Sequence, residues 1–277
     1  MSPRPARMQI PAALALITGA GSGIGQATAE AFARKGASVL CADLNGESAE
    51  KTAATCSELG APSTAAYVVD VADRDALEAL ASRIDSERGP LDIVVNNAGV
   101  GMSGRFTDMS AQDWTWIRSI NLDGVVNGCA VFGPGLLERG RGHVVNLSSG
   151  LGFTPTATEP AYVTTKAAVL ALSQCLRADW SRSGVGVSAI CPGVINTPII
   201  SATRFVGPMG TDETRDKTSK IFRRGHRPEK VAEAIVGAIE HNKAVVPVGI
   251  ESRIGWYLHR LAPIGLQQVI ARAGAHR

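Results

Sequence analysis

Seven short runs rich in β-branched and apolar residues, at 13–18, 38–43, 65–70, 91–96, 143–148, 185–191 and 244–248, alternate with longer amphipathic stretches such as 25–35, 46–59, 73–88 and 161–182. Alternation of this kind admits few folds. Each strand followed by a helix returns to the same sheet through a right-handed crossover, so the strands come out parallel and helices cover both faces. Strands buried on both sides need nearly continuous apolar sequence. Leu91-Asp92-Ile93-Val94-Val95 and Val185-Gly186-Val187-Ser188-Ala189-Ile190 approximate that pattern. The expectation is an α/β fold with one doubly wound parallel sheet of about seven strands. With 277 residues, 45% of them hydrophobic, the whole of 1–277 can form one domain around a large core. In such a sheet the ligand crevice lies beyond the carboxyl ends of the strands, where strand order reverses.

The residues after the first run suit that crevice. Thr18-Gly19-Ala20-Gly21-Ser22-Gly23-Ile24-Gly25 joins a strand to a helix. Gly19, Gly23 and Gly25 permit a tight turn, close approach of backbone amides to a pyrophosphate, and close packing of helix on sheet. In a chain with 30 glycines such a turn alone is weak evidence, and its strand-to-helix setting is what makes the fold Rossmann-like. Gly19, Ser22, Gly23, Ile24 and Gly25 are the candidate dinucleotide-binding residues of this turn. Asp43 ends the second run, where a carboxylate can accept hydrogen bonds from the adenosine ribose hydroxyls and repel a 2′-phosphate. No basic residue stands in the glycine turn, and Leu44 follows the aspartate. NAD is therefore expected in preference to NADP. The competing reading makes Asp43 a helix N-cap.

Tyr162 and Lys166 stand four apart on a predicted helix, with Ser149 thirteen residues before the tyrosine and Asn121 earlier still. Residues at i and i+4 share one helix face, so phenol and ammonium can approach a common point. A phenol of pKa about 10 is a poor base at neutral pH, and a cation within a few Å can lower that value by about 1 to 3 units. Taken alone, such a pair is an ordinary feature of helices. Thr158-Glu159-Pro160 supplies an N-cap candidate followed by proline in the first turn, which starts the helix just before Tyr162.

Several such motifs in order make the chain resemble the short-chain dehydrogenase/reductase family in its common single-domain form. Besides the glycine turn, the resemblance rests on Asp70-Val71, Asn96-Asn97-Ala98-Gly99, Asn121 in Ile120-Asn121-Leu122-Asp123-Gly124, Ser149, Tyr162-Val163-Thr164-Thr165-Lys166 and Pro192-Gly193-Val194-Ile195-Asn196-Thr197. It implies that Asp70 and Val71 touch the adenine, that Asn97, with Ala98 and Gly99, braces the central strand beside the cofactor, and that Pro192, Gly193, Ile195 and Thr197 hold its nicotinamide end. By the same resemblance Ser149 bonds the substrate oxygen, Tyr162 exchanges the proton, Lys166 binds the nicotinamide ribose and lowers the tyrosine pKa, and Asn121 anchors a relay water. Thr165 is a mild departure, since serine or alanine is more usual there. The implied reaction is interconversion of a secondary alcohol and its ketone. The alternatives are an NADP-dependent ketoreductase and a catalytically silent nucleotide-binding protein.

The segment 197–227 reads as a lid over the substrate, and its Ile199, Ile200, Phe205, Val206, Met209, Ile221 and Phe222 suggest an apolar alcohol or ketone, with Phe153 as a further wall. The extension 251–277 reads as two short amphipathic helices packing on another subunit, with membrane-surface attachment left open. The resemblance implies a homodimer or homotetramer. A net charge of +3 from scattered residues gives no case for nucleic acid, and Arg223, Arg224, His226 and Arg227 read as a solvated loop. Five widely spaced cysteines fit reduced buried thiols, and five histidines lack metal-ligand spacing. With no apolar signal core at 1–11 and no eighteen-residue apolar run, the expected location is the cytoplasm.

Overall fold

The predicted runs assemble into one central sheet in the computed structural model, which describes residues 8–273. Its strands are β1 (Leu14–Thr18), β2 (Ser38–Asp43), β3 (Thr64–Val68) and β4 (Ile93–Asn96), then, beyond a short β5 (Gly101–Ser103), β6 (Gly142–Leu147) and β7 (Val185–Pro192), and, beyond a short β8 (Thr203–Phe205), β9 (Val245–Val248). The seven longer strands lie in the order β3-β2-β1-β4-β6-β7-β9, and every pairing is parallel. The chain winds outward through β2 and β3, then returns to the other side of β1 as β4. The switch point therefore opens between the carboxyl ends of β1 and β4, at Thr18 and Asn96.

Side chains alternate along each strand, so the sheet feeds two cores. Ala15 and Ile17 of β1 join Phe32 of α1 (Gly23–Arg34), Ala49 of α2 (Gly46–Glu58) and Ile235 of α8 (Pro228–Glu240). Leu16 faces the other way, with Leu77 and Ile84 of α3 (Arg74–Arg88), Phe132 and Leu136 of α5 (Gly124–Glu138), and Val169 of α6 (Pro160–Asp179). Helix α4 (Ala111–Arg118) runs into α5 through one widened π turn, Ser119–Asp123. The continuous run Ala111–Glu138 is long and apolar enough to cross a membrane, but half of its apolar window is buried in the protein, as a core helix requires.

Several boundaries differ from expectation for local reasons. Strand β3 stops at Val68 because Asp70 turns the chain, its Oδ1 accepting the Ala72 amide at 2.9 Å. Helix α6 takes Glu159 as its N-cap residue, with Pro160 next, whereas the Thr158 hydroxyl is engaged with that of Thr156 at 3.2 Å. The segment 197–227 is built around α7 (Asp212–Arg223) and around β8, which pairs in parallel with β5 as a separate two-stranded sheet. The C-terminal extension forms α9 (Ile250–Leu261) and α10 (Ile264–Ala273), the two helices expected; residues 274–277 lie outside the described residues.

Candidate active site

Thr18 ends β1 at the switch point and works as a pivot. Its Oγ1 accepts the Asn97 amide at 3.0 Å and the Ala98 amide at 3.2 Å, while Asn97 Nδ2 returns to the carbonyls of Thr18 and Gly19 at 2.9 and 3.1 Å. Asn97 thus stitches β4 to the start of the glycine turn. Sequence reasoning singled out Asn97 and missed Thr18. Gly19 and Gly23 adopt φ of 64° and 55°, conformations that side-chain-bearing residues rarely hold. Gly25 has no room for a Cβ, which would collide with the Gly19 carbonyl. Ser22 is the exposed N-cap residue of α1, its hydroxyl unused by the helix, and no acidic residue stands in the first turn. Open amides and a positive dipole end, with Ile24 half-buried beside them, form a cradle suited to a pyrophosphate.

Asp43 is not a helix cap: Asn45 caps α2, accepting the Ser48 amide at 3.0 Å. The Asp43 carboxylate instead accepts the Gly21 amide at 2.8 Å through Oδ2 and the Asn45 amide at 2.9 Å through Oδ1. Each oxygen keeps a lone pair, so the group is held at the cradle's edge with capacity for ribose hydroxyls. Asp70 is exposed past β3, and Val71 is buried against α5, where Asn127 Nδ2 holds its carbonyl at 3.0 Å. The residues present fit a dinucleotide along this edge.

The second half of the site gathers beyond β6. Ser149 follows that strand and caps a short turn, its Oγ accepting the Leu151 amide at 3.2 Å. Tyr162 and Lys166 come from the first two turns of α6. Lys166 is buried, its Nζ donates to the Leu147 carbonyl at 3.0 Å, and it lies 5.8 Å from the centroid of the Tyr162 ring. Asn121, fully buried in the π turn, pairs with both backbone groups of Val100, accepting its amide at 2.8 Å and donating to its carbonyl at 2.9 Å. A Cβ on Gly99 would stand 3.2 Å from Asn121 Oδ1 and 3.3 Å from Lys166 Nζ, so those two atoms converge on one small volume. Thr165 is not idle: it donates to the Tyr162 carbonyl at 2.8 Å and accepts from Asn121 Nδ2 at 3.4 Å, linking the π turn to the tyrosine's helix.

Burial governs the protonation of these groups. It pushes the Tyr162 phenol up to about 12; the Ser149 hydroxyl, close enough to favour the phenolate, pulls down, and the Glu159 carboxylate pushes further up. It also pulls Lys166 down to about 8. Desolvation thus weakens Lys166 as a cation, and its ammonium is turned onto the Leu147 carbonyl. The tyrosine lies in an apolar cluster with Val100, Met102, Trp114, Trp116 and Val206. Phe153 does not line this space; it is buried under α9 against Trp256, with ring centroids 5.2 Å apart.

The loop after β7 faces the glycine turn, where a Cβ on Gly23 would meet Thr197 Cγ2 at 3.1 Å. Pro192 and Ile195 are buried anchors of this loop. Its backbone is held from behind: Val248 accepts the Gly193 amide at 2.8 Å, Glu251 Oε1 the Val194 amide at 2.8 Å, and the His226 carbonyl the Asn196 amide at 2.8 Å. His226 is therefore half-buried and engaged, not part of a solvated loop: its side chain also approaches Glu251 Oε2 at 3.3 Å and Lys230 Nζ at 3.2 Å. A Cβ on Gly193 would occupy the place of the Glu251 carboxylate, which explains the glycine of this motif. Nothing in the spacing of Glu251 and His226 announces this contact.

A doubly wound parallel sheet with a glycine cradle at its switch point, and serine, tyrosine and lysine converging beyond the next strand, defines a nucleotide-dependent oxidoreductase fold. The chain belongs to the short-chain dehydrogenase/reductase family: the short chain dehydrogenase family model matches residues 13–204. The probable oxidoreductase EphD of Mycobacterium tuberculosis is 45% identical over 261 residues, covering 92% of this chain and 44% of that protein, so the chain spans less than half the length of this relative. The D-threitol dehydrogenase of Mycolicibacterium smegmatis is 37% identical over 227 residues, 80% of this chain and 84% of that protein. A crystal structure of a short chain dehydrogenase/reductase from Burkholderia phymatum in complex with NAD superposes with a TM-score of 0.84 at 29% identity, over 94% of this chain and 96% of that one.

Proposed function

We propose that this protein interconverts an apolar secondary alcohol and its ketone with NAD. The observation that carries the reading is the convergence of Tyr162, Ser149 and Lys166 beyond β6, beside the switch point. Bound along the glycine cradle, the cofactor would supply the two-electron acceptor. In oxidation Tyr162 takes the hydroxyl proton, Ser149 donates a hydrogen bond to the developing oxygen charge, and Lys166 keeps a positive charge nearby. The apolar cluster around Tyr162 favours an apolar substrate body. Asp43 supports NAD over NADP, since its oriented carboxylate opposes a 2′-phosphate. The homo-oligomer remains part of this proposal, as does the cytoplasmic setting. Tyr162→Phe tests the mechanism: NADH affinity within a few-fold of the parent with turnover lowered by about 10³-fold supports it, and retained turnover with bound cofactor refutes it.

A further inference from the structure

Seven of the twelve large apolar side chains exposed among the described residues lie between Ile250 and Val269, so the apolar surface of this protein is concentrated on its last two helices. Along α9, Ile250, Ile254, Tyr257 and Leu261 recur at i, i+4, i+7 and i+11, the spacing of one stripe along a helix, and each is more than half exposed. The opposite side of α9 is the one the protein holds. Ser252 is buried there and donates to the Cys191 carbonyl at 2.6 Å, a Cβ on the buried Gly255 would collide with Thr154, and Trp256 meets Phe153. The stripe therefore points away from the body, and no described residue covers it. Ile264, Leu266 and Val269 extend the exposed apolar surface onto α10.

Charge decides what this face meets. The segment 252–277 holds four arginines, no lysine and no acidic residue, so the chain's net charge of +3 falls wholly within it. Arg253 and Arg260, both exposed and seven residues apart, line one edge of the apolar stripe, and Trp256 braces the second of them, its ring centroid 5.0 Å from the guanidinium carbon. A two-fold contact of this face with its own copy would set the same arginines against their equivalents, with no carboxylate in the segment to answer them. A negatively charged, apolar-cored surface answers both features at once. We infer that α9 and α10 dock this face onto an anionic lipid surface, with α9 lying flat, its apolar stripe among the acyl chains and its arginines at the headgroups. The inference goes beyond the alcohol–ketone reading and does not depend on it.

Flotation of the full chain with lipid vesicles tests it, with NADH affinity as the check that each variant is folded. Phosphatidylcholine vesicles containing about 30% phosphatidylglycerol should carry the protein, phosphatidylcholine alone should carry at least about ten-fold less, and high salt should release it. Arg253→Gln with Arg260→Gln should weaken binding to the anionic vesicles by about five-fold per arginine. Ile254→Glu with Leu261→Glu changes two exposed positions and should abolish flotation with NADH affinity at the parent's value. Should that pair fail the folding check, the arginine pair carries the test alone. No flotation of the parent, equal flotation on both kinds of vesicle, or binding that neither pair of substitutions moves would overturn the inference. So would sedimentation velocity showing a parent oligomer that Ile254→Glu with Leu261→Glu dissociates, since the face would then be a contact between copies of this chain.

Discussion

Lys166→Met separates the two things this lysine does, because one of them should harm the enzyme and the other should help the fold. Burial depresses Lys166 from an ordinary 10.5 to about 8. At about 1.36 kcal/mol per pH unit, that interval means the buried ammonium destabilises the folded protein by about 3 kcal/mol at neutral pH. The sign follows from proton counts: below pH 8 both folded and unfolded chains hold the proton and the full penalty applies. Between about 8 and 10.5 the unfolded chain alone retains it, so the parent gains stability as pH rises through that window. Methionine has similar length and no charge, but it leaves the Leu147 carbonyl without the 3.0 Å bond it now accepts. An orphaned buried acceptor costs about 1 to 2 kcal/mol, which leaves a net gain of about 1 to 2 kcal/mol for the variant at pH 7. Urea denaturation at pH 7 and at pH 10.5 measures it: the variant should be more stable at the lower pH, with the advantage gone at the higher. Alcohol oxidation should fall by at least about 10²-fold. A variant less stable than the parent at pH 7, by an amount that does not change with pH, would refute the account of Lys166 as a desolvated cation.

Two further changes test the edges of the site. Asp43→Ala removes the acceptor for the Gly21 and Asn45 amides together with the negative charge, so fluorescence titration should show NADH binding weakened by about ten-fold and the NADPH-to-NADH affinity ratio raised. Glu251→Ala frees the Val194 amide from its 2.8 Å partner, so hydrogen exchange at Val194 should quicken and NADH should bind several-fold more weakly, while Glu251→Gln, which keeps an acceptor oxygen, should recover most of both.

The sheet was legible because parallel strands buried on both faces must be apolar without interruption, and helices long enough for a crossover must separate them. Ser38–Asp43 is read to the residue; Thr64–Val68 is displaced because β3 is the sheet's edge, where Val68 is exposed and the two-sided apolar signature fades. The short β5 and β8 have three residues each, too few for any period to show. The π turn is invisible for a different reason. Ser119–Asp123 is helical in composition, and the widening goes with Asn121 turning inward onto the Val100 backbone, a contact across 21 residues. Tyr162 and Lys166 stand out by their i, i+4 spacing and Ser149 through the family resemblance, whereas Glu251 and His226 hold their loop through distant partners that no local pattern encodes.

The protonation pattern of the site points in one direction. Burial pushes Glu159 up to about 7, Tyr162 up to about 12 and Lys166 down to about 8, so each group is moved toward its neutral form. A site so arranged is starved of compensating charge and hydrogen-bond donors before anything binds. A cation brought within a few Å of Tyr162 would lower the phenol steeply in so dry a setting, since the same desolvation that raises its pKa magnifies any nearby charge. Glu159 loses its proton well before the phenol does, so its charge opposes the phenolate throughout the range in which Tyr162 titrates. The positive ring of an oxidised cofactor would favour the base, and the Glu159 carboxylate restrains it. Glu159→Gln should therefore move the pH profile of alcohol oxidation to lower pH with NADH affinity unchanged, and a profile that stays in place or moves to higher pH would refute this account of the site's charge.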